Sequence, residues 1–332
     1  MPIKNDLFRL GEWFNVKVSL FYGVLTIVSI YTGQEFKEYV TTIWQTFVVL
    51  FPIAAWANII NDFADVDSDA KANKLNRLSN WSMSKRVIVS FGTIPLLFLA
   101  PYLFGYNTLS LIFVLATILA FILYSVKPIR LKDRGWFGAI ADALGTQVFP
   151  ILMVLALECN ASFFSLYHYI ALSGWLVFAG VRLHLVHQFM DYENDLAANL
   201  NTIFTVYKKE NVIHWVKRII LPLELFFLFW TLYVFHAGYI LMGFVWYLLT
   251  AILLSKKLKI KFVLYAVKTN ERVWFSEFYN SFILIFSLLY LVVNLNFLFV
   301  IPLIIFGLLF YKEIALQGKE VLHVLKNWRH IK

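Results

Sequence analysis

An all-α, polytopic membrane protein is the fold class this sequence predicts, and three observations carry it. Of its 332 residues, 61% are hydrophobic, 18% aromatic and only 15% charged, with a mean hydropathy of +0.72. A soluble domain is nearer half apolar and a quarter charged. Apolar runs of about 20 residues, enough to cross roughly 30 Å of hydrocarbon, recur along the whole chain. Basic residues gather in alternate loops, the pattern of the positive-inside rule. A bilayer admits only helices or closed barrels, and these runs are far too long for barrel strands.

The apolar runs lie near 18–33, 40–61, 86–105, 107–125, 136–157, 167–190, 212–235, 237–255, 277–294 and 297–311. Only Asn294-Leu295-Asn296 separates the last two, so the bundle has nine or ten transmembrane helices. The turns near 34–39, 106, 158–166, 236–238 and 294–296 carry Lys37 as their single Lys or Arg. The opposite loops are basic: Lys71 to Arg86, Lys127 to Arg134, Lys208 to Arg218, Lys256 to Arg272, and the tail. Strict alternation places both termini in the cytoplasm; the membrane expected is the cytoplasmic membrane of a bacterium. The same distribution accounts for the net charge of +9 without nucleic acid. Lys4, Asp6, Arg9, Glu12 and Lys17 interrupt the start, so no cleavable signal peptide is evident. A lone cysteine, Cys159, excludes an intrachain disulfide. The economical organisation is one transmembrane domain over 1–332, with a core at about 15–300 and a basic cytoplasmic tail at about 312–332.

Two of the apolar runs end in acid. The first continues as Asn61-Asp62-Phe63-Ala64-Asp65-Val66-Asp67-Ser68-Asp69, the second as Asp191-Tyr192-Glu193-Asn194-Asp195. Residues three and four apart share a helix face. Asn58, Asp62, Asp65 and Asp69 follow 4-3-4 spacing, Asn61, Asp65 and Asp69 follow 4-4, and Asp191 and Asp195 sit one turn apart. Each cluster therefore presents two or more carboxylates to one point, while Asp67 faces away as a solvated bystander. A single Asp at a membrane boundary is ordinarily just solvated. Four together at a helix C-terminus, where the dipole disfavours anions, repel one another and call for a cation. Hard cations such as Mg²⁺ choose oxygen ligands and bind through a few carboxylates plus substrate phosphates. The two clusters suit a clamp of two Mg²⁺ around one diphosphate.

At these residues the chain resembles the UbiA-type intramembrane prenyltransferases. Asn61, Asp62, Asp65 and Asp69 match the family's Asn-Asp-x-x-Asp-x-x-x-Asp in full, and Asp191 and Asp195 match its Asp-x-x-x-Asp. The family's Tyr-Ser before a basic stretch stands here as Tyr124-Ser125-Val126-Lys127-Pro128-Ile129-Arg130-Leu131-Lys132. Thr202 matches a threonine that follows the second cluster. Asn73-Lys74-Leu75-Asn76-Arg77-Leu78 keeps the Asn and Arg of another family segment but lacks its proline. The resemblance covers about 15–300. It implies a helical bundle around a central cavity open toward lipid, and Mg²⁺-dependent use of an isoprenyl diphosphate.

In such a reaction the diphosphate leaves as an anion while an allylic carbocation develops, so metal ions and fixed cations belong at the leaving oxygen. Asn61, Asp65, Asp69, Asp191 and Asp195 are the candidate Mg²⁺ ligands, with Asp62 in support. Arg77, Arg130 and Lys132 are candidates to grip the diphosphate, although loop cations also serve topology, Lys127 above all. Tyr124 is the candidate hydrogen-bond donor to it. Arg182, His187 and Glu193 are expected to support the ligands. His187 and, less so, His184 have the alternative of being hydrogen-bonded core residues. The 33 Phe, 17 Tyr and 11 Trp can shield a cation, but none stands out. Three functions fit: transfer to an aromatic or other lipophilic acceptor, cyclisation without an acceptor, and, remotely, secondary transport. Transporter acids usually lie near the bilayer midplane beside broken helices, whereas these lie at span ends.

Overall fold

The computed structural model of this chain describes residues 10–71, 74–158, 164–197, 200–266, 270–310, 318–320 and 322. Residues 1–9, Asn73, Cys159 and most of the basic tail lie outside the described residues. Helices cover the apolar runs, that at 86–105 in three pieces of which Ile94–Leu97 and Leu99–Leu103 are single short turns. In order they are α1 (Leu10–Thr32), α2 (Phe36–Lys71), α3 (Met83–Phe91), α4 (Thr108–Ser125), α5 (Trp136–Ala143) and α6 (Phe149–Glu158). There follow α7 (Leu166–Met190), the short α8 (Tyr192–Ala197) and α9 (Ile203–Val206), then α10 (Lys209–Trp215) and α11 (Leu221–Val234). α12 (Ile240–Leu258), α13 (Ile283–Asn294) and α14 (Val300–Leu309) follow. Among the described residues, six helical stretches suffice by length and composition to cross a membrane: Phe36–Lys71, Met83–Leu103, Thr108–Ser125, Trp136–Leu157, Leu166–Met190 and Ile240–Leu258.

Local chemistry explains several boundaries. Gly33, at φ 71°, makes the turn between α1 and α2, a left-handed conformation that costs glycine little. Asn107 caps α4 by accepting from the Ser110 amide at 2.8 Å. Single π-turns, Leu144–Val148 and Val216–Ile220, join α5 to α6 and α10 to α11 without breaking either rod.

The chain divides into two compact units, one taking in residues 41–231, the other residues 14–40 and the chain from 232 onward. In the first unit α4 packs on α6 and α5 on α7. Without a hydrophobic drive between helices in lipid, close association relies on small residues. Gly180 of α7 supplies one: a Cβ there would stand 2.7 Å from that of Ala143 on α5. Around this contact Ala139, Ala143, Ala171, Leu172, Trp175 and Ala179 are fully buried. The outward face is equally regular. Leu109, Ile112, Leu115, Leu119 and Leu123 form an exposed stripe at helical spacing along α4, a lipid-facing surface that a water-soluble helix would bury.

The second unit contains what the sequence reading does not foresee. A two-stranded parallel ribbon pairs β1 (Lys261–Val263) with β2 (Glu271–Val273). Strands of three residues are too short to give a periodic signal. The run Lys256 to Lys261 reads as an amphipathic segment; in the structure α12 ends at Leu258, Lys259 turns left-handed at φ 55°, and Lys261 begins β1. Tyr247, Phe262, Trp274, Phe275, Phe278 and Phe282 pack ring against ring around this ribbon.

Candidate active site

The first acidic cluster occupies the last turns of α2. Asp62 is buried, with the Arg77 guanidinium 3.5 Å away. Asn76 ties the following loop to this helix end: its amide donates to the Asp62 carbonyl at 2.7 Å and to Asp69 Oδ2 at 2.8 Å. Asn58 turns back to Ala54, and Asp67 is exposed.

The loop after α4 delivers the cations. Lys132 Nζ lies 2.5 Å from each carboxylate oxygen of Asp65 and 2.9 Å from Asn61 Oδ1. Arg130 is buried and donates to Asp65 Oδ1 at 2.9 Å, to Asp133 Oδ2 at 2.5 Å and to the Ala64 carbonyl at 2.8 Å. Its backbone is left-handed, at φ 40°, and three acceptors hold it there. Burial pushes the Lys132 ammonium down from its ordinary pKa, and the Asp65 carboxylate opposes that shift. Gly138 of α5 makes room for this loop, because a Cβ there would stand 2.8 Å from the Leu131 carbonyl oxygen and from Lys132 Cα.

The second cluster begins where α7 ends. Asp191 is exposed, with Lys74 Nζ at 3.8 Å. Asp195 is buried and its carboxyl is pushed up to about 6, first by burial and then by the neighbouring Asp191 charge. Two anions this close favour a cation between them.

Both clusters line one cavity of about 240 Å³. Asn61, Asp62, Asp65 and Asp69 meet Asp191 and Asp195 there, together with Tyr124, Lys132, His187 and Thr202. Arg77 and Arg130 are not among its lining residues; they reach the site through Asp62 and Asp65. Glu193 is exposed and does not line it. Arg182 is placed elsewhere, in a buried bidentate pair with Glu224 at 2.6 and 2.8 Å. Among the described residues no three His, Cys, Asp or Glu side chains already converge as a metal cage. Mg²⁺ does not require one, since it keeps waters and substrate phosphates as ligands beside one or two carboxylates. The all-oxygen donor set fits that cation.

Three contributors escape sequence reading. Asn76 has the side chain of an ordinary turn residue. Asp142 of α5, 3.2 Å from His184 Nδ1, is an acid within an apolar run and was open to suspicion on that ground alone. Gly138 shows only through the crowding around it.

Comparison with known proteins bears on this arrangement. The UbiA prenyltransferase family matches over residues 22–283. A digeranylgeranylglyceryl phosphate synthase from Thermococcus sibiricus is 31% identical over 168 residues, which span 50% of this chain and 56% of that relative. The chain thus aligns with little more than half the length of that curated relative. A UbiA homolog from Archaeoglobus fulgidus, solved with DMAPP and Mg²⁺, superposes with a TM-score of 0.52 at 15% identity, covering 92% of this chain and 96% of that one. The same homolog bound to GPP and Mg²⁺ gives a TM-score of 0.51 at 16% identity, with the same coverage. At such identity the likeness shows the fold: a helical membrane architecture shared almost end to end.

Proposed function

This chain belongs to the UbiA prenyltransferase family, and from that premise we propose that it moves an isoprenyl group from a prenyl diphosphate to an aromatic or other lipophilic acceptor, in a Mg²⁺-dependent reaction within the membrane. The observation that carries the proposal is the meeting of both acidic clusters and Lys132 at one cavity. The solved homolog was captured with prenyl diphosphates and Mg²⁺, which supports the same ligands here. The Thermococcus relative is named for making a prenylated glyceryl phosphate, so a glyceryl phosphate lipid belongs among the acceptors to be tried.

Asn61, Asp65, Asp69, Asp191 and Asp195 would hold Mg²⁺, with Asp62 behind them. When bound, the metal neutralises charge that grows on the leaving diphosphate. The chain's own residues set the rest. Lys132 faces the cavity and suits a diphosphate oxygen. Arg130 and Arg77, fixed against Asp65 and Asp62, orient those carboxylates. Tyr124 offers a hydroxyl to the diphosphate and a ring face beside the developing cation. His187 lines the cavity near the second cluster as a further polar partner. The bond from the allylic carbon to oxygen breaks with its electron pair on the diphosphate; the acceptor nucleophile then bonds to that carbon and releases its proton. The topology expected with this activity is a single domain of nine or ten spans, both termini and both clusters on the cytoplasmic side.

Mass spectrometry of lipid extracts tests the reading. Purified protein receives Mg²⁺ and geranyl, farnesyl or geranylgeranyl diphosphate, with and without phenolic, quinonoid or glyceryl phosphate acceptors. A prenylated adduct that requires acceptor and vanishes with EDTA is the expected result. A cyclic terpene formed from the diphosphate alone would replace transfer with cyclisation.

A further inference from the structure

Beside the acidic clusters runs a second polar line, whose His184 and Gln188 line the same cavity, that the proposed reaction does not use. His184 Nδ1 lies 3.2 Å from Asp142 Oδ2, His184 Nε2 lies 3.0 Å from Gln188 Nε2, and Gln188 Oε1 accepts from the Ile203 amide at 3.1 Å. His184 and Gln188 are buried. The backbone sets the sense of the whole line. An amide N–H can only donate, so Gln188 must present its oxygen to Ile203 and its NH₂ to the ring. His184 Nε2 must then accept, and its proton sits on Nδ1, facing the Asp142 carboxylate. Each contact is satisfied in one direction only.

The line ends where it matters. Ile203 is the first residue of α9, and its N-cap, Thr202, makes no side-chain capping bond. Gln188 therefore supplies the acceptor that the helix start lacks. Thr202, freed from capping, lines the cavity beside Asp195, and the Leu200 amide just before it donates to the Asp195 carbonyl at 2.9 Å. We infer that Asp142, His184 and Gln188 are positioning residues that anchor the Thr202–Ile203 turn and thereby aim Asp195 into the cavity. The inference rests on the transferase reading for its catalytic consequence, but its hydrogen-bond geometry is open to separate test.

In the full-length protein, ¹⁵N NMR of His184, assigned through its loss in H184N, should show one neutral tautomer with the proton on Nδ1. Amide exchange at Ile203 should be slow, faster in Q188L and D142L, and still slow in D142N, whose side-chain oxygen keeps an acceptor for Nδ1–H. Half-saturating Mg²⁺ for prenyl transfer should rise about tenfold or more in Q188L and D142L, the size of effect typical of groups that orient metal ligands, and far less in D142N. A proton on Nε2, or Ile203 exchange indifferent to Q188L and D142L, would overturn the hydrogen-bond line. Faster exchange with unchanged Mg²⁺ dependence would overturn the positioning role. Should the unaltered protein transfer no prenyl group, the transferase reading fails, and the tautomer and exchange results judge the line by themselves.

Discussion

At the end of α2, Asp65 stands 2.5 Å from Lys132 and 2.9 Å from Arg130, with its side chain 13% exposed. At the end of α7, Asp191 has Lys74 at 3.8 Å, and its side chain is 54% exposed. The two clusters share a cavity but relate to the fold in different ways. The first carries its countercharges with it, so its carboxylates are oriented by buried partners and hold the neighbouring loop in return. The second has one distant surface cation and a mutually repelling pair, and suits direct engagement by an incoming divalent ion. On the proposed function, one cluster serves architecture and chemistry together, and the other is placed by architecture for chemistry alone.

Asp65→Ala is the sharpest challenge to that contrast. It should abolish transfer, at least about 10³-fold, and also destabilise the protein by about 3–5 kcal/mol, because Lys132 and Arg130 stay buried without that carboxylate. Turnover assays and thermal melts of the detergent-solubilised protein measure the two effects. Asp191→Ala should cost about 10²–10³-fold in turnover while the melt stays where it was. An early melt in this variant would erase the distinction between the clusters.

Smaller changes probe the first cluster's supports. Gly138→Ala should push Lys132 from Asp65 and slow turnover by about 10–100-fold, as displacements near 1 Å do; diphosphate affinity should weaken with it. An unchanged rate would mean that the loop is not held at that contact. Asn76→Ala removes the bonds to the Asp62 carbonyl and to Asp69, for a loss of about 1–3 kcal/mol in stability and only a severalfold loss in rate. A chemical-denaturation series resolves it from the larger effects.

How much of this is legible in the sequence depends on how far each partner lies along the chain. Apolar runs and loop charge give the helical membrane fold, because hydrocarbon thickness dictates length directly. Asn61, Asp62, Asp65 and Asp69 reveal themselves because a helix turns 3-4 spacing into a shared face. Arg182 illustrates the opposite case. Its place in an apolar run beside the second cluster suggests support for the ligands, yet the partner the fold provides is Glu224, 42 residues on and equally buried. The Asp142–His184 contact likewise joins two helices, and no local pattern announces it. The β1–β2 ribbon is shorter than any window that could detect it.

The length of α2 carries a kinetic consequence. Its 36 residues extend about 54 Å, well beyond the roughly 30 Å of a hydrocarbon layer, and the acidic residues lie at its C-terminal end. A prenyl diphosphate held there, as proposed, would have its charged head at the aqueous boundary and its tail among acyl chains, so the enzyme would sample a two-dimensional population. Its saturation should track the mole fraction of prenyl diphosphate in the bilayer. Adding inert lipid at fixed bulk concentration would then slow the reaction by surface dilution alone.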